Sequence, residues 1–278
     1  MTAPMTSRGV SVAFEKSRAD GRAALVGYLP AGFPTVAGGI AALRAMVDAG
    51  CDVIEVGLPY SDPVMDGPTI QRAAQQALEA GVRIRDVLAT VEAVAATGTP
   101  TLVMTYWNPI ERYGVERFAT DLADVGGAGL ITPDITPDAR TDWIAAADAH
   151  DLDKVYLVAP SSTDERIAMT VKACRGFVYA TAVMGVTGAR TTTSDLAGPL
   201  VERTKAALSS LHSDLPVAVG LGVSTGAQAA EVAAFADGVI VGSAFVRTLL
   251  DHADDASAGL TALSTLTADL ADGVRRGR

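Results

Sequence analysis

Short runs of β-branched and apolar residues alternate with longer alanine-rich segments along most of the chain. Eight of these runs predict parallel strands, because strands buried on both faces of a sheet are continuously apolar. They cover residues 23–29, 52–57, 101–106, 129–131, 154–158, 177–181, 217–220 and 238–241. The intervening segments have helical periodicity at residues 36–49, 69–80, 83–96, 115–125, 137–150, 164–175, 194–211 and 224–235, and a last helix is predicted at 256–274.

Eight strand–helix units are the number that closes a (β/α)8 barrel, and 278 residues is an ordinary length for one such domain. No proline- or serine-rich linker divides the chain. We therefore expect an α/β protein that folds as one TIM barrel over residues 1–278, with a doubly wound open sheet as the alternative. Ser194 or Asp195 and Ser224 are expected to cap helices, and Pro137 suits a first helical position.

The composition excludes several classes of function. Hydrophobic residues make up 49% of the chain and charged residues 19%, which is typical of a globular protein with a large core. The formal net charge of −10 argues against a surface for nucleic acid or anionic membranes. Cys51 and Cys174 are too few for a disulfide framework and fit a reduced cytoplasmic protein. The three histidines show no metal-binding spacing, so no metal site is expected.

The first 43 residues do not suggest secretion or membrane insertion. Arg8, Glu15 and Lys16 stand where a signal peptide would need apolar residues. Residues 23–43 carry no charge, but two prolines and four glycines interrupt them, so we interpret this stretch as buried in the barrel.

Two acidic residues are candidates for catalysis. Reactive groups of a barrel enzyme lie at the carboxyl ends of the strands and in the following loops. Glu55 lies inside the apolar second strand, where burial should raise its pKa toward the range useful for proton transfer. Asp66 lies in the long loop after that strand. A satisfied buried acid and a simple turn aspartate are the respective alternatives.

Glycines follow the last three strands in a pattern that favours phosphate binding. Gly220-Leu221-Gly222 comes after strand seven and Gly242-Ser243 after strand eight, each directly before a helix. Glycine lets an anion approach the backbone, and amide groups at helix starts bind phosphate without a cationic side chain. The stretch Gly185-Val-Thr187-Gly188 after strand six could fold over a ligand.

Aromatic and thioether side chains occur at the same predicted end of the barrel. They are Tyr28 on strand one, Met104 and Tyr106 on strand three, and Tyr179 on strand six. Core packing explains any one of them. Together with a buried acid and a phosphate site, they favour a flat apolar substrate that carries a phosphate.

The stretch from Glu55 through Asp66 to Gln71 resembles the strand-two signature of the tryptophan synthase α subunit family. The resemblance continues through Tyr28 to Pro34, Met104 to Pro109 and the three glycine elements, in the family's order over residues 10–275. It implies a single TIM barrel with an extra N-terminal helix and extra helices in the βα loops. It also implies lyase cleavage of indole-3-glycerol phosphate to indole and glyceraldehyde 3-phosphate in tryptophan biosynthesis.

The resemblance assigns roles to individual residues. Glu55 matches the general acid/base, and Asp66 matches the carboxylate that engages the indole N–H. Tyr179 matches the tyrosine that steers the glutamate, and Thr187 matches the threonine of the closing loop. Further matches line the indole pocket or the phosphate site, namely Tyr28, Met104, Tyr106, Gly188, Gly220, Leu221, Gly222, Gly242 and Ser243.

The resemblance also implies a partner. Indole would pass to a β subunit in an α2β2 assembly, where pyridoxal phosphate belongs to the β subunit and this chain has no cofactor. Asp62 and Asp134 match positions on the β-subunit face. Leu221 stands where the family usually has phenylalanine, which is harmless if its backbone N–H does the binding. Val183 and Pro133 depart from the usual arginine and alanine, so loop closure or signalling to the partner is expected to differ.

Two other functions remain open at this point. One is a barrel enzyme with another phosphorylated substrate, or a lyase that releases indole without a β partner. The other is a non-catalytic sensor of a phosphorylated ligand, although a sensor does not require both Glu55 and Asp66.

Overall fold

The computed structural model describes residues 9–181 and 194–277. Eight parallel strands form a closed barrel in which each strand pairs with the next along the chain and the last pairs with the first. The open-sheet alternative is therefore wrong. The strands are β1 (Ala24–Pro30), β2 (Val53–Gly57), β3 (Thr101–Met104), β4 (Gly129–Thr132), β5 (Asp153–Val158), β6 (Val178–Thr181), β7 (Val217–Gly220) and β8 (Gly238–Val241).

Twelve α-helices are found in the described residues, and most of them surround the barrel. They are α1 (Ser11–Ala19), α2 (Val36–Asp48), α3 (Pro68–Glu79), α4 (Ile84–Ala95), α5 (Trp107–Tyr113), α6 (Val115–Asp124), α7 (Thr141–Ala149), α8 (Asp164–Ala173), α9 (Ser194–Ser210), α10 (Gly226–Ala233), α11 (Ser243–Asp251) and α12 (Ala256–Arg276). The N-terminal helix implied by the resemblance is α1, and the extra helices in the βα loops are α3, α5 and α11, since the connections after β2, β3 and β8 each hold two helices.

Several local expectations need correction. β3 ends at Met104, and Tyr106 is instead the residue that precedes the first turn of α5. Thr225 rather than Ser224 caps α10, since its hydroxyl accepts the amide hydrogen of Gln228. Pro137 begins a three-residue 3₁₀ turn, whereas α7 begins only at Thr141.

Alternate side chains of the strands fill the barrel interior, and α1 covers its amino-terminal end. The Phe14 ring lies 5.4 Å from that of Phe177, and the Val10 amide donates to the Asp153 carboxylate at 2.8 Å. This end of the barrel is therefore packed with side chains. The buried members of this inner cluster are Val10, Ala13, Phe14, Ala24, Val26, Val53, Leu102, Ala128, Ile131, Val155, Phe177, Ala218 and Ile240.

The uncharged stretch at residues 23–43 forms β1 and the first half of α2, as expected for a buried segment. Among residues 9–181 and 194–277, no helix has the length and apolar character needed to cross a bilayer.

Candidate active site

Glu55 is the most unusual side chain in the barrel. It points into the interior from β2, where it pairs with Tyr28 of β1 and Leu102 of β3, and it is 1% exposed. Neither carboxylate oxygen has a hydrogen-bond partner among the described residues. Burial raises the pKa of Glu55 to about 8. The group is therefore largely protonated at neutral pH and can donate a proton, which matches the sequence expectation.

Asp66 lies at the end of the loop between β2 and α3. The Tyr106 hydroxyl donates a hydrogen bond to its Oδ1 at 3.1 Å, and the Gln71 side chain donates to its backbone oxygen at 2.7 Å. Partial burial raises the pKa of Asp66, while the Tyr106 hydrogen bond opposes that rise by stabilising the carboxylate. The two acids therefore lie in different environments, because within the described residues Glu55 has no donor and the Asp66 carboxylate has one.

Tyr106 connects β3 to the loop that carries Asp66. Its hydroxyl accepts the Met65 amide at 2.9 Å while donating to Asp66, and its ring packs at a tilt against that of Tyr60, with the centroids 5.3 Å apart. The sequence predicts Tyr106 as part of the indole pocket, an assignment that stays a prediction. Its contacts with Met65 and Asp66 show that it also holds Asp66 in place.

One pocket of about 170 Å³ at the carboxyl end of the strands brings most of the predicted site residues together. Both acids lie in it, with three of the side chains expected to hold the ring and all five residues expected to hold phosphate on β7 and β8. Ile70 and Ile240 also line it and were not predicted. Its lining is Tyr28, Glu55, Asp66, Ile70, Met104, Tyr179, Gly220, Leu221, Gly222, Ile240, Gly242 and Ser243.

Two tyrosine rings of the pocket lie directly over glycines of neighbouring strands. A β-carbon at Gly220 would lie 2.5 Å from the Tyr179 hydroxyl, and one at Gly57 would collide with the Tyr28 hydroxyl. These glycines therefore set the positions of the rings. Gly222 has a φ of +73°, a conformation that favours glycine.

The end of the pocket near β7 and β8 has the properties of an anion site. α11 begins at Ser243, and its preceding residue, Gly242, makes no side-chain cap to the free amides of the first turn. The positive end of the helix dipole and these amides face the same pocket that Ser243 lines. No lysine or arginine is among the described lining residues, so the backbone is the main donor there. Thr187 and Gly188, predicted for the same site, lie outside the described residues.

The loop beside the pocket has a partly apolar outer face. Val64 is 78% exposed and Met65 is 47% exposed. Asp62, next to them in sequence, accepts the Ser61 hydroxyl, while the carboxylate of Asp134 accepts the Trp107 amide at the start of α5. Asp134 is thus a capping residue of α5, and Asp62 lies on the exposed side of the same rim.

The family model for the tryptophan synthase alpha chain matches residues 14–275. The tryptophan synthase alpha chain of Salinispora arenicola is 65% identical over 96% of this chain and 97% of its own length, and that of Nocardia farcinica is 58% identical over 94% of each. A solved structure of Mycobacterium tuberculosis tryptophan synthase has a TM-score of 0.87 at 56% identity and covers 96% of this chain and 98% of its own. The chain therefore belongs to the tryptophan synthase alpha chain family.

Proposed function

We propose that Glu55 and Asp66 carry out the lyase reaction of this family, in which indole-3-glycerol phosphate is cleaved to indole and glyceraldehyde 3-phosphate. The observation that carries this assignment is the placement of Glu55. It is a buried carboxylic acid without a hydrogen-bond partner among the described residues, and it shares a pocket with the glycine ends of β7 and β8.

The protonated form of Glu55 starts the reaction by donating its proton to C3 of the indole ring. The ring then carries positive charge on its nitrogen, and the bond between C3 and the first glycerol carbon is weakened. The resulting Glu55 carboxylate takes the proton of the hydroxyl on that carbon. The bond breaks, its electron pair returns to the ring, and an aldehyde forms. One proton leaves Glu55 and one returns, so the acid is regenerated.

Asp66 acts as the counter-charge in this scheme. A carboxylate that accepts the indole N–H stabilises the positive ring most strongly when it is ionised. The hydrogen bond from Tyr106 favours that ionised form. Thus the two acids have complementary tasks, one as a proton carrier and one as a fixed negative charge.

The two ends of the substrate fit the two ends of the pocket. Ile70, Met104 and Tyr28 offer apolar and aromatic surface for an indole ring. Gly242 and Ser243 present the start of α11 to a phosphate. This polarity orients the scissile bond toward Glu55. Thr187 and Gly188 stay assigned to the phosphate side and the closing loop by resemblance.

Tryptophan synthase alpha chains act with a β-subunit partner. We propose an α2β2 assembly in which pyridoxal phosphate is held by the β subunit and this chain needs no cofactor of its own. The exposed Val64 and Met65, beside Asp62, supply apolar surface for docking next to the pocket. Residues 1–278 are proposed to act as one domain. Two buried free cysteines, Cys51 and Cys174, support a reducing compartment such as the cytoplasm.

The test is release of indole from indole-3-glycerol phosphate, measured with and without the β subunit. Glu55→Gln is expected to lower kcat by at least about 100-fold while sparing substrate binding, because the amide cannot transfer the proton. Asp66→Asn is expected to lower kcat as well. The exposed Glu92, on α4, provides the matched control Glu92→Gln, which should retain full turnover.

Each alternative has its own outcome in this assay. Strong turnover without the β subunit, together with no α–β complex in sedimentation, would identify a free-standing indole-producing lyase. Ligand binding without cleavage under either condition would identify a sensor and reject the proposed reaction. Near-wild-type turnover by Glu55→Gln would remove Glu55 from its assigned role.

A further inference from the structure

A second cavity, of about 410 Å³, borders the phosphate end of the active-site pocket. The two cavities share Gly222 and Ser243, so the backbone that faces the substrate phosphate on one side faces this cavity on the other. The other lining residues are Ser224 in the segment before α10, residues of α11 and of the turn that follows it, and residues of α12. These residues are Ser224, Ala244, Arg247, Thr248, Asp251, His252, Ala262 and Leu266.

Arg247 brings a cation to this cavity. It lies four residues after Ser243 on α11, so the two side chains share one face of the helix, one turn apart. Side chains of a helix lean toward its amino terminus, which directs Arg247 toward the turn that begins at Ser243. The guanidinium is thus carried on the same helix that presents its amides to the phosphate.

The guanidinium is not committed to another contact in the described part of the chain. None of the ion pairs or hydrogen bonds formed among residues 9–181 and 194–277 involves Arg247. Asp251, one turn further along α11, lines the same cavity, but the order of basic then acidic residue at this spacing is the weaker one for an ion pair. His252 is the other titratable neighbour, and its Nδ1 bonds to the Thr248 carbonyl.

The charges around the active site make such a cation useful. The pocket contains the carboxylate of Asp66, and the whole chain has a formal net charge of −10. A substrate phosphate near neutral pH carries close to two negative charges and is repelled by this field. The backbone amides hold the phosphate at contact distance but have no net charge.

Given the function proposed above, we infer that Arg247 is a positioning residue that attracts the phosphorylated end of the substrate to the amides of Gly242 and Ser243. It acts on capture and retention of the phosphate and takes no part in proton transfer. The contact is at the rim and open to water, so its contribution is moderate and sensitive to salt.

The experiment compares Arg247→Gln with Arg247→Lys and with Arg276→Gln. Arg276 ends α12 next to Arg275, which lines a cleft with Cys51 and Asp52 at the start of β2, at the opposite end of the barrel. Its substitution removes the same unit of charge without touching the site. Steady-state turnover of indole-3-glycerol phosphate is measured at low and moderate ionic strength, together with the Kd for inorganic phosphate.

Arg247→Gln is expected to raise KM and the Kd for phosphate by roughly three- to tenfold while kcat stays nearly constant. The increase should shrink as salt is added. Arg247→Lys should restore most of the affinity, and Arg276→Gln should behave as wild type. A loss of kcat with unchanged KM, or equal effects of the Arg247 and Arg276 substitutions, would overturn the inference.

Failure of this inference is distinguishable from failure of the proposed function. If wild-type protein cleaves the substrate and Arg247→Gln has normal KM, only the role of Arg247 is rejected. If wild-type protein does not cleave the substrate, the proposed function is rejected, and the ratio of the phosphate Kd values still decides whether Arg247 attracts the anion.

Discussion

Tyr179 of β6 packs its phenol directly over the backbone of Gly220 in β7, with the hydroxyl 2.5 Å from the place where a β-carbon would stand. The pair connects two strands that both contribute to the pocket. The position of the ring therefore depends on the absence of a side chain on the adjacent strand.

Gly220→Ala is predicted to displace Tyr179 into the pocket and to lower kcat/KM by roughly tenfold or more, since overpacking of this kind costs about 1–3 kcal/mol. Steady-state kinetics with indole-3-glycerol phosphate provide the measurement. Gly198→Ala in α9 is the control, because a β-carbon there meets nothing within 4 Å. Equal kinetics of the two variants would show that the Tyr179 ring can adopt another position without disturbing the pocket.

The activity should depend on pH through Glu55. With a pKa of about 8, Glu55 is protonated at neutral pH, so kcat/KM should fall about tenfold per pH unit above pH 8 as the proton is lost. The phosphate of the substrate titrates near pH 6 and does not contribute to this limb. A flat profile between pH 7 and 10 would contradict the role of Glu55 as the acid.

The stability of the fold should also depend on pH, with a sign set by the same group. The pKa of Glu55 is higher in the folded protein than in the unfolded chain, so the folded state retains a proton that the unfolded state loses. The free energy of unfolding should fall, by on the order of a few kcal/mol, as the pH rises from about 4.5 to about 8. Urea titrations at pH 5 and pH 8 measure this loss.

Glu55→Gln isolates that contribution, because glutamine stays neutral over the whole range. The variant should lose less stability than wild type between pH 5 and pH 8. Other acids, among them Asp153, titrate equally in both proteins and cancel in the comparison. Identical losses in both proteins would mean that folding does not raise the pKa of Glu55, because its carboxylate has a partner that the described contacts do not supply.

Tyr106→Phe is predicted to raise the pKa of Asp66, since the hydroxyl that stabilises its carboxylate is removed. The acidic limb of the kcat/KM profile should therefore move to higher pH, and kcat should fall. Tyr113→Phe is the matched control, because it removes a tyrosine–aspartate hydrogen bond to Asp121 away from the pocket. An unshifted acidic limb in Tyr106→Phe would assign Tyr106 to packing alone.

Phe14→Ala is predicted to lower the free energy of unfolding by about 3–5 kcal/mol, because the ring is buried against Phe177. Catalysis at a temperature where the variant stays folded should be nearly unchanged, since the ring lies at the opposite end of the barrel. Val12→Ala, at a 46% exposed position of the same helix, should cost far less. Chemical unfolding monitored by circular dichroism compares the two.

Much of the barrel follows from the sequence because its strands are short, apolar and regularly spaced. β7 and β8 begin and end where the apolar pattern predicts, while β3 stops two residues earlier than predicted. The early stop arises because the backbone turns into α5, which Asp134 caps from another loop. A capping residue 27 positions away leaves no local signal in the sequence.

In the candidate site, too, features set by neighbouring residues could be predicted, whereas contacts between residues far apart in the sequence could not. The burial of Glu55 and the placement of Gly242 before α11 follow from local pattern. The hydrogen bond between Tyr106 and Asp66 joins residues 40 positions apart, and Ile70 enters the pocket only through the path of the loop before α3. Contacts of this kind require the closed barrel and are not visible in spacing.

The packed amino-terminal end of the barrel, formed by Phe14 and its neighbours, limits where small molecules can pass. The described part of the amino-terminal end is filled with side chains, so substrate and both products enter and leave on the carboxyl side of the barrel, where the pocket of Glu55 lies. A protein surface that covers this end of the barrel determines whether indole is released into water or passes to a partner. Because α1 closes the amino-terminal end, transfer of the uncharged product depends on the surface that covers the carboxyl end of the barrel.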